Sequence, residues 1–328
     1  MSRVTLEDLR EARRRIQGVA VRTPLLPCAW ASDGERSLVL KPENLQRTGA
    51  FKIRGAYNRL SALSPHERAR GVIAQSSGNH GQALACAARM LGVTATVVMP
   101  DTAPAVKIEA TRAQGAEVVL VAPEDRERVT GELAEERRHV VVPPFDDPYV
   151  IAGQGTVGLE IAEDAAALGL ELDTVLVPVS GGGLISGVAA AVKLSGPGVR
   201  VIGVEPELAA DARESLHRGE RVSWPAAETG RTIADGLRIS SLGVLPFDHI
   251  QAYVDDIITV READIRAAVA VLAMQGHLIA EPSGAVALAA YLYQQNALPP
   301  GRVHACVISG GNIDPALLAD LLAHGITA

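Results

Sequence analysis

GVIAQSSGNHGQALACAARMLGVTATVVMP, residues 71–100, reads as strand, turn, helix and strand in one unbroken run. An apolar run (71–75) hands over to a polar turn, an Ala-rich helical pattern (80–92) follows, and a second apolar run (95–100) closes the unit. Both runs are continuously apolar rather than alternating, the mark of a parallel strand covered on both faces. The pattern extends outward in both directions. Further strands are read at 37–41, 117–122, 174–179, 199–204, 256–260 and 303–309, and further helices at 156–169 and 261–276. The expectation is an α/β chain with parallel sheets, and its strands outnumber what one such sheet needs. VVVPPFDDP (140–148), with its prolines and paired acids, reads as the crossover between two sheets. The charge-dense stretch 124–139 reads as a solvated helix face.

Composition bounds the rest. With 328 residues, 48% hydrophobic and 21% charged, the chain builds one large domain or two modest ones and is not disordered. Lys and Arg number 31 against 38 Asp and Glu, a net charge of −7, which argues against a nucleic-acid partner. No apolar run reaches the ~20 residues of a membrane span, and the charged N-terminus lacks a signal peptide's apolar stretch. Thr5 and Asp8 have the spacing of a capping box that opens a first helix. Cys28, Cys86 and Cys306 are odd in number, scattered and without metal-ligand spacing, so reduced thiols and a cytoplasmic location are expected.

Two turns carry chemistry. In VSGGGLISG (179–187), successive glycines let several N–H groups converge on an anion at a helix start. The same string also serves as a tight turn with no ligand. It does not match G-x-G-x-x-G and lacks an acidic ribose partner, which disfavours a dinucleotide. QSSGNHGQA (75–83) offers hydroxyls, an amide and N–H groups suited to a carboxylate, and ordinary helix capping by Ser77 or Asn79 explains it equally well. His80 taken alone reads as a hydrogen-bonded helix residue before it reads as a base.

ENLQRTGAFKIRGAYNRL (43–60) places a single lysine after an aromatic residue at a Gly-Ala turn, where it opens an amphipathic helix. This segment resembles the lysine segment of the fold-type-II pyridoxal-phosphate enzymes, in the threonine/serine dehydratase and serine racemase branch. SSGNHGQA, AGQGTVGLEI (152–161), VSGGGLISG, GVEPELAADA (203–212), TIADGLR (232–238), EPSGAVALAA (281–290) and SGGNID (309–314) follow in that family's order. The resemblance therefore covers nearly the whole chain. RTGAFKIRGA has the dehydratase and racemase form, not the Asn-Pro-x-Gly-Ser-x-Lys-Asp type of the cysteine and threonine synthases. Only PALLADLLAHGITA follows SGGNID, so no regulatory domain of the long biosynthetic threonine deaminases is expected.

The resemblance implies two open, twisted, mostly parallel α/β subdomains of the tryptophan-synthase-β-like fold, with the cofactor between them. Residues 1–65 and 148–328 would form the large cofactor-binding domain and 66–147 the small substrate-closing domain. It implies pyridoxal 5′-phosphate carried on Lys52 as a Schiff base, with Phe51 beside the ring and Asn79 on its phenolic oxygen. Gly181, Gly182, Gly183 and Leu184 are implied to donate N–H groups to the phosphate. Ser309 would meet the pyridine nitrogen, while Gly236 and Glu281 line the ring; a helix-start role explains Glu281 equally well. Ser76, Ser77, Asn79 and His80 would receive the substrate carboxylate. Ser180 stands where many relatives have Gly, adding a hydroxyl to the phosphate loop. A neutral Ser309 does not hold the ring nitrogen protonated as an aspartate would, which favours β-elimination over transamination.

The implied reaction turns L-threonine or L-serine into a 2-oxo acid and ammonia, with Lys52 as the base. Serine racemisation, for which Ser77 would serve the opposite face, and elimination of threo-3-hydroxyaspartate stay open as alternatives. Glu205, the Ala209 carbonyl and Asp211 match the branch's divalent-cation site and suit Mg²⁺ or Ca²⁺. Ala210 stands where the family often has a second acid, and a surface acidic turn is the plainer reading of the segment. A homodimer acting on a small amino acid is implied. Outside the family, a dinucleotide-dependent reductase and a cofactor carrier without turnover are the competing classes.

Overall fold

The computed structural model describes residues 2–76, 78–103 and 105–324, so Ser77 lies outside the described residues. The strands are β1 (Leu26–Pro27), β2 (Ser37–Pro42), β3 (Val72–Gln75), β4 (Ala95–Pro100) and β5 (Glu117–Val121). They continue with β6 (Val140–Val141), β7 (Thr174–Pro178), β8 (Arg200–Pro206), β9 (Asp256–Val260) and β10 (Val303–Ile308). One sheet has the order β1-β2-β10-β7-β8-β9 and is parallel except where β1 pairs with β2. The other has the order β5-β4-β3-β6, is parallel throughout, and is drawn entirely from residues 72–141. The chain is an α/β protein with mostly parallel sheets, as its apolar runs predict.

Both phases of the central strands are apolar because helices cover both sheet faces. Leu38, Leu40, Leu176 and Ile202 enter one apolar cluster, and Val39, Val175, Val177 and Val201 enter the other. β4 and β7 are buried at every position, whereas β5, at a sheet edge, is exposed or half-buried throughout. Thr5 and Asp8 form the expected capping box at the helix Leu6–Ile16. In the helix Arg126–Arg137 Thr130 alone is buried, so the charge-dense stretch is solvated. All three cysteines are buried and free. Among the described residues no helix is long and apolar enough to cross a membrane.

The helical stretch read at 156–169 belongs to a longer helix, Pro148–Ala167. Asp147 accepts N–H bonds from Tyr149 (2.8 Å) and Val150 (3.0 Å), and Pro148 takes the first helical position. The helix Gly183–Ser195 packs on it at glycine: a Cβ on Gly187 would lie 2.3 Å from the Ile151 carbonyl oxygen and 2.4 Å from the Gly155 nitrogen. On another flank a Cβ on Gly153 would lie 2.6 Å from the Arg54 carbonyl oxygen, in the helix Lys52–Ser61. AGQGTVGLEI is thus a packing motif. It presses the lysine helix and the glycine-loop helix against one spine.

Candidate active site

Lys52 is the first residue of its helix, and Phe51 immediately precedes it. The turn is tied to the end of β10, where Phe51 N donates to the Ser309 carbonyl (3.1 Å) and Ala50 pairs with Gly310. Lys52 Nζ donates to the Pro144 carbonyl oxygen at 2.8 Å and lies 5.1 Å from the Phe51 ring centroid. Loss of solvent around the amine lowers its pKa from 10.5 to about 8. The chain has four lysines. Lys41 pairs with Glu160, Lys107 with Asp235 and Lys193 with Asp255. Lys52 has no carboxylate partner among the described residues, only that carbonyl.

A buried ion network holds the lysine helix, and sequence reading missed it. Arg54, fully buried, donates to both oxygens of Glu43 (2.7 and 2.8 Å) and of Glu160 (2.7 and 2.8 Å). Lys41 Nζ adds a 2.6 Å bond to Glu160, and Thr23 Oγ1 donates to Glu43 at 2.6 Å. Burial pushes the Glu43 carboxyl up, but Arg54 outweighs it and holds the carboxyl below its ordinary value. The Arg54 pKa is raised because Glu43 and Glu160 together outweigh its own desolvation. The network joins β2, the lysine helix and the helix Pro148–Ala167, and so fixes where Lys52 stands. Glu43, Arg54 and Glu160 all lie inside the quoted motifs; charges embedded among apolar positions were the available signal.

The glycine loop follows β7. Gly182 has φ +93°, a backbone that L side chains rarely adopt, and a Cβ there would lie 2.7 Å from Pro246. On the other side a Cβ on Gly181 would lie 2.4 Å from the Phe145 ring, and one on Gly183 2.8 Å from the Phe145 Cβ. The segment 140–148 is therefore more than a crossover. The Pro144 carbonyl holds Lys52 and the Phe145 ring rests on the loop, which brings lysine and loop into one site. Leu184 is buried in the core behind them. Ser180 Oγ is buried without a hydrogen-bond partner, a hydroxyl left for an anion such as phosphate.

A polar cluster forms around Asn79. Asn79 Nδ2 donates to Glu281 at 2.5 Å, and Asn312 Nδ2 donates to Asn79 Oδ1 at 2.7 Å. Asn312 lies in SGGNID, which sequence reading used as a landmark without giving this residue a role. Burial first, and then the charge of Asp235, raise the Glu281 carboxyl to about 7. Gly236 N donates to Ser283 Oγ (2.9 Å), and Ser309 Oγ points at the Ser283 carbonyl (3.4 Å). Ser76 Oγ accepts N–H bonds from Gly78 (3.2 Å) and Gly81 (3.0 Å), which shapes the 75–83 turn. His80 is buried, and its Nε2–H donates to the Val142 carbonyl at 3.0 Å. Desolvation, with the Lys52 charge nearby, lowers the His80 pKa to about 3, so it is neutral.

Glu205, Ala209 and Asp211 stand apart, at the end of β8 and the start of the helix Asp211–Arg218, and all three are buried. Glu205 accepts N–H bonds from Ala212 (3.1 Å) and Arg213 (2.8 Å). Burial, and then the charge of Asp211, push the Glu205 carboxyl well up, and burial raises Asp211 to about 7. Asp211 Oδ2 is buried without a hydrogen-bond partner. Two desolvated acids with an orphaned oxygen suit a hard cation, to which this segment would contribute two carboxylates. Among the described residues no cluster of three or more His, Cys, Asp or Glu is placed to hold a metal ion.

Comparison with known proteins agrees with this geometry. Residues 16–310 match the family described as "Pyridoxal-phosphate dependent enzyme". An L-threonine ammonia-lyase of Thermotoga maritima is 44% identical over 330 residues, covering 98% of this chain and 79% of that protein. A threonine deaminase of T.th. superposes with a TM-score of 0.90 at 44% identity, covering 95% of this chain and 99% of that one. A maize serine racemase superposes with a TM-score of 0.91 at 37% identity, covering 98% of each chain. With a family match over most of its length and a desolvated lysine joined to a glycine loop, the chain belongs to the pyridoxal-phosphate dependent enzymes.

Proposed function

We propose that this chain is an ammonia-lyase that removes the α-proton and β-hydroxyl of L-threonine or L-serine, the product hydrolysing to a 2-oxo acid and ammonia. The observation that carries this reading is Lys52, whose amine has lost solvent without gaining a carboxylate. An amine with a pKa of about 8 is available as nucleophile and base near neutral pH. Pyridoxal phosphate, when bound, supplies the electron sink for the charge left at the substrate's α-carbon. Lys52 would hold the cofactor and, when free, take the α-proton at Nζ, with the Pro144 carbonyl orienting the amine. The N–H groups of Gly181, Gly182, Gly183 and Leu184, with the Ser180 hydroxyl, would receive the phosphate. Phe51, Gly236 and Glu281 would border the ring, Asn79 would bond its phenolic oxygen and Ser309 would meet its nitrogen. Ser76, Ser77, Asn79 and His80 receive the substrate carboxylate, His80 through its backbone N–H in the first turn of its helix, since its one ring N–H is committed to Val142.

Residues 1–65 and 148–328 are assigned to the cofactor-holding unit and 66–147 to a unit that closes over substrate. The origin of the four-stranded sheet in 72–141 alone supports that division. The family resemblance supports a homodimer, and the free, scattered cysteines support a cytoplasmic location. Loaded with pyridoxal phosphate, the protein is expected to release 2-oxo acid and ammonia in equal amounts from both amino acids. Release from threo-3-hydroxyaspartate alone would move the reading to that substrate.

Serine racemisation is the second reading, favoured by the 37% identity to maize serine racemase. It needs an acid or base on each face of the α-carbon, and Ser77 is assigned to the face opposite Lys52. Ser77→Ala is expected to suppress racemisation and D-serine elimination while keeping substantial elimination from L-serine. Exchange of the α-proton of each isomer in D₂O measures this directly, and unchanged exchange of D-serine in the variant would remove Ser77 from the mechanism.

Mg²⁺ or Ca²⁺ is assigned to Glu205, the Ala209 carbonyl and Asp211, with waters completing the shell; the orphaned Asp211 oxygen supports it. A ligand that binds only the folded chain stabilises it by mass action, so a chelator is expected to lower the melting temperature by about 5 °C. Added Mg²⁺ or Ca²⁺ should restore it, and the double variant Glu205→Gln, Asp211→Asn should not respond. A wild-type melting temperature indifferent to chelator and cation would retire the site.

A further inference from the structure

Among the described residues, the side-chain polar links from 72–141 to the elements of the six-stranded sheet all converge on the candidate site. Asn79 bonds Glu281 and is bonded by Asn312, and the remaining link is the ion pair of Lys107 with Asp235. That pair is also the only salt bridge between these two sets of elements among the described residues. Lys107 lies in the first turn of the helix Ala105–Ala113, which connects β4 to β5. Its amine reaches the carboxylate-receiving turn, since a Cβ on Gly78 would lie 4.0 Å from Lys107 Nζ. Asp235 opens the short turn Asp235–Leu237, which the Gly236 N–H bond to Ser283 anchors at the ring side of the site. The Lys107 side chain is only 12% exposed and that of Asp235 38%, a more sheltered setting than the open surface pairs that contribute little.

We propose that Lys107 and Asp235 form a closing latch: two positioning residues that hold the turn bearing Ser76, Gly78 and Asn79 in its substrate-receiving position before and during binding, an inference that rests on the function proposed above. Neither is assigned to the reacting atoms. They act by setting the fraction of molecules in which the carboxylate turn is in place, and that fraction scales the apparent substrate affinity directly. The latch needs both residues, so losing both should cost KM no more than losing one; their charges act on Glu281 in opposite directions and offset there when both are removed.

The test uses the cofactor-loaded enzyme. Lys107→Met and Asp235→Asn are each expected to raise KM for L-threonine by about tenfold with kcat within about threefold. The double variant should match the worse single one, and Lys107→Arg, which keeps the charge, should recover most of the affinity. Without substrate, amide hydrogen exchange across 75–83 and 232–238 should quicken in Lys107→Met and Asp235→Asn and stay near wild type in Lys107→Arg. Additive effects, or a defect in Lys107→Met with Asp235→Asn silent, would overturn the latch and make Lys107 a direct substrate ligand. Unchanged exchange in both charge-removing variants would also overturn it. If the wild type turns over neither amino acid, the functional reading fails, and the exchange measurement still decides the latch.

Discussion

Lys52→Ala is expected to lose turnover of L-threonine and L-serine by at least about a thousandfold, together with the visible absorption of the lysine-bound cofactor. On the proposed reading one side chain is both anchor and base, so no other group in the site would substitute for it. The fold should survive, because among the described residues Nζ makes a single hydrogen bond, to Pro144, and no ion pair. Burial disfavours the charged amine, whose pKa falls from 10.5 to about 8. Between those two values the unfolded chain binds more protons than the folded one, so this group's contribution to stability rises with pH across that window and is unfavourable below it. The cofactor-free variant should therefore be at least as stable as the cofactor-free wild type at pH 7, with the difference vanishing above about pH 10. Urea unfolding at the two pH values checks this. Near-wild-type elimination by the variant at saturating substrate would mean that another group is the base.

Arg54→Met is expected to be the most damaging single change to the fold, at about 3–5 kcal/mol, because it leaves buried carboxylates without their partner. Glu43 is fully buried and has Arg54 on both oxygens, so it suffers most; Glu160 keeps Lys41. Adding Glu43→Leu should recover part of the loss, since removing a buried pair is cheaper than breaking it. The pH dependence has a definite sign. Without Arg54, desolvation, the largest influence on Glu43, is opposed only by the weaker effects of Lys41 and the Thr23 hydroxyl, and it raises the pKa above the unfolded value of about 4.3. The deficit should then be small below that pH and grow as pH rises through the raised pKa. Urea midpoints at pH 4 and pH 7 measure it, and equal deficits at the two would mean that the network is not what supports the helix.

The long apolar strands were legible because each is covered on both faces: β2, β4 and β9 fall where their runs of Val, Ile and Leu stand. β1 and β6, two residues each, carry no period to read. The start of the helix Pro148–Ala167 was placed late because the apolar pattern dominated, although Asp147-Pro148 held the capping signal. In the site, the turns announced themselves through Gly, Ser and Asn, residue types whose turn chemistry is local. What stayed hidden depends on distance along the chain. Arg54 meets Glu160 across 106 positions and Lys107 meets Asp235 across 128, and no local spacing encodes such pairs. Pro144 meets Lys52 through a backbone carbonyl, a group every residue has, so its identity could not point to the contact.

The most direct measurement of the central claim is borohydride reduction of the cofactor-loaded protein, followed by proteolysis and mass mapping of the fixed cofactor. Only four lysines can carry it: Lys41, Lys52, Lys107 and Lys193. The account predicts the reduced cofactor on Lys52 alone, with no label on the three lysines that are paired to carboxylates. Label on any of those three, or on none of the four, would contradict it.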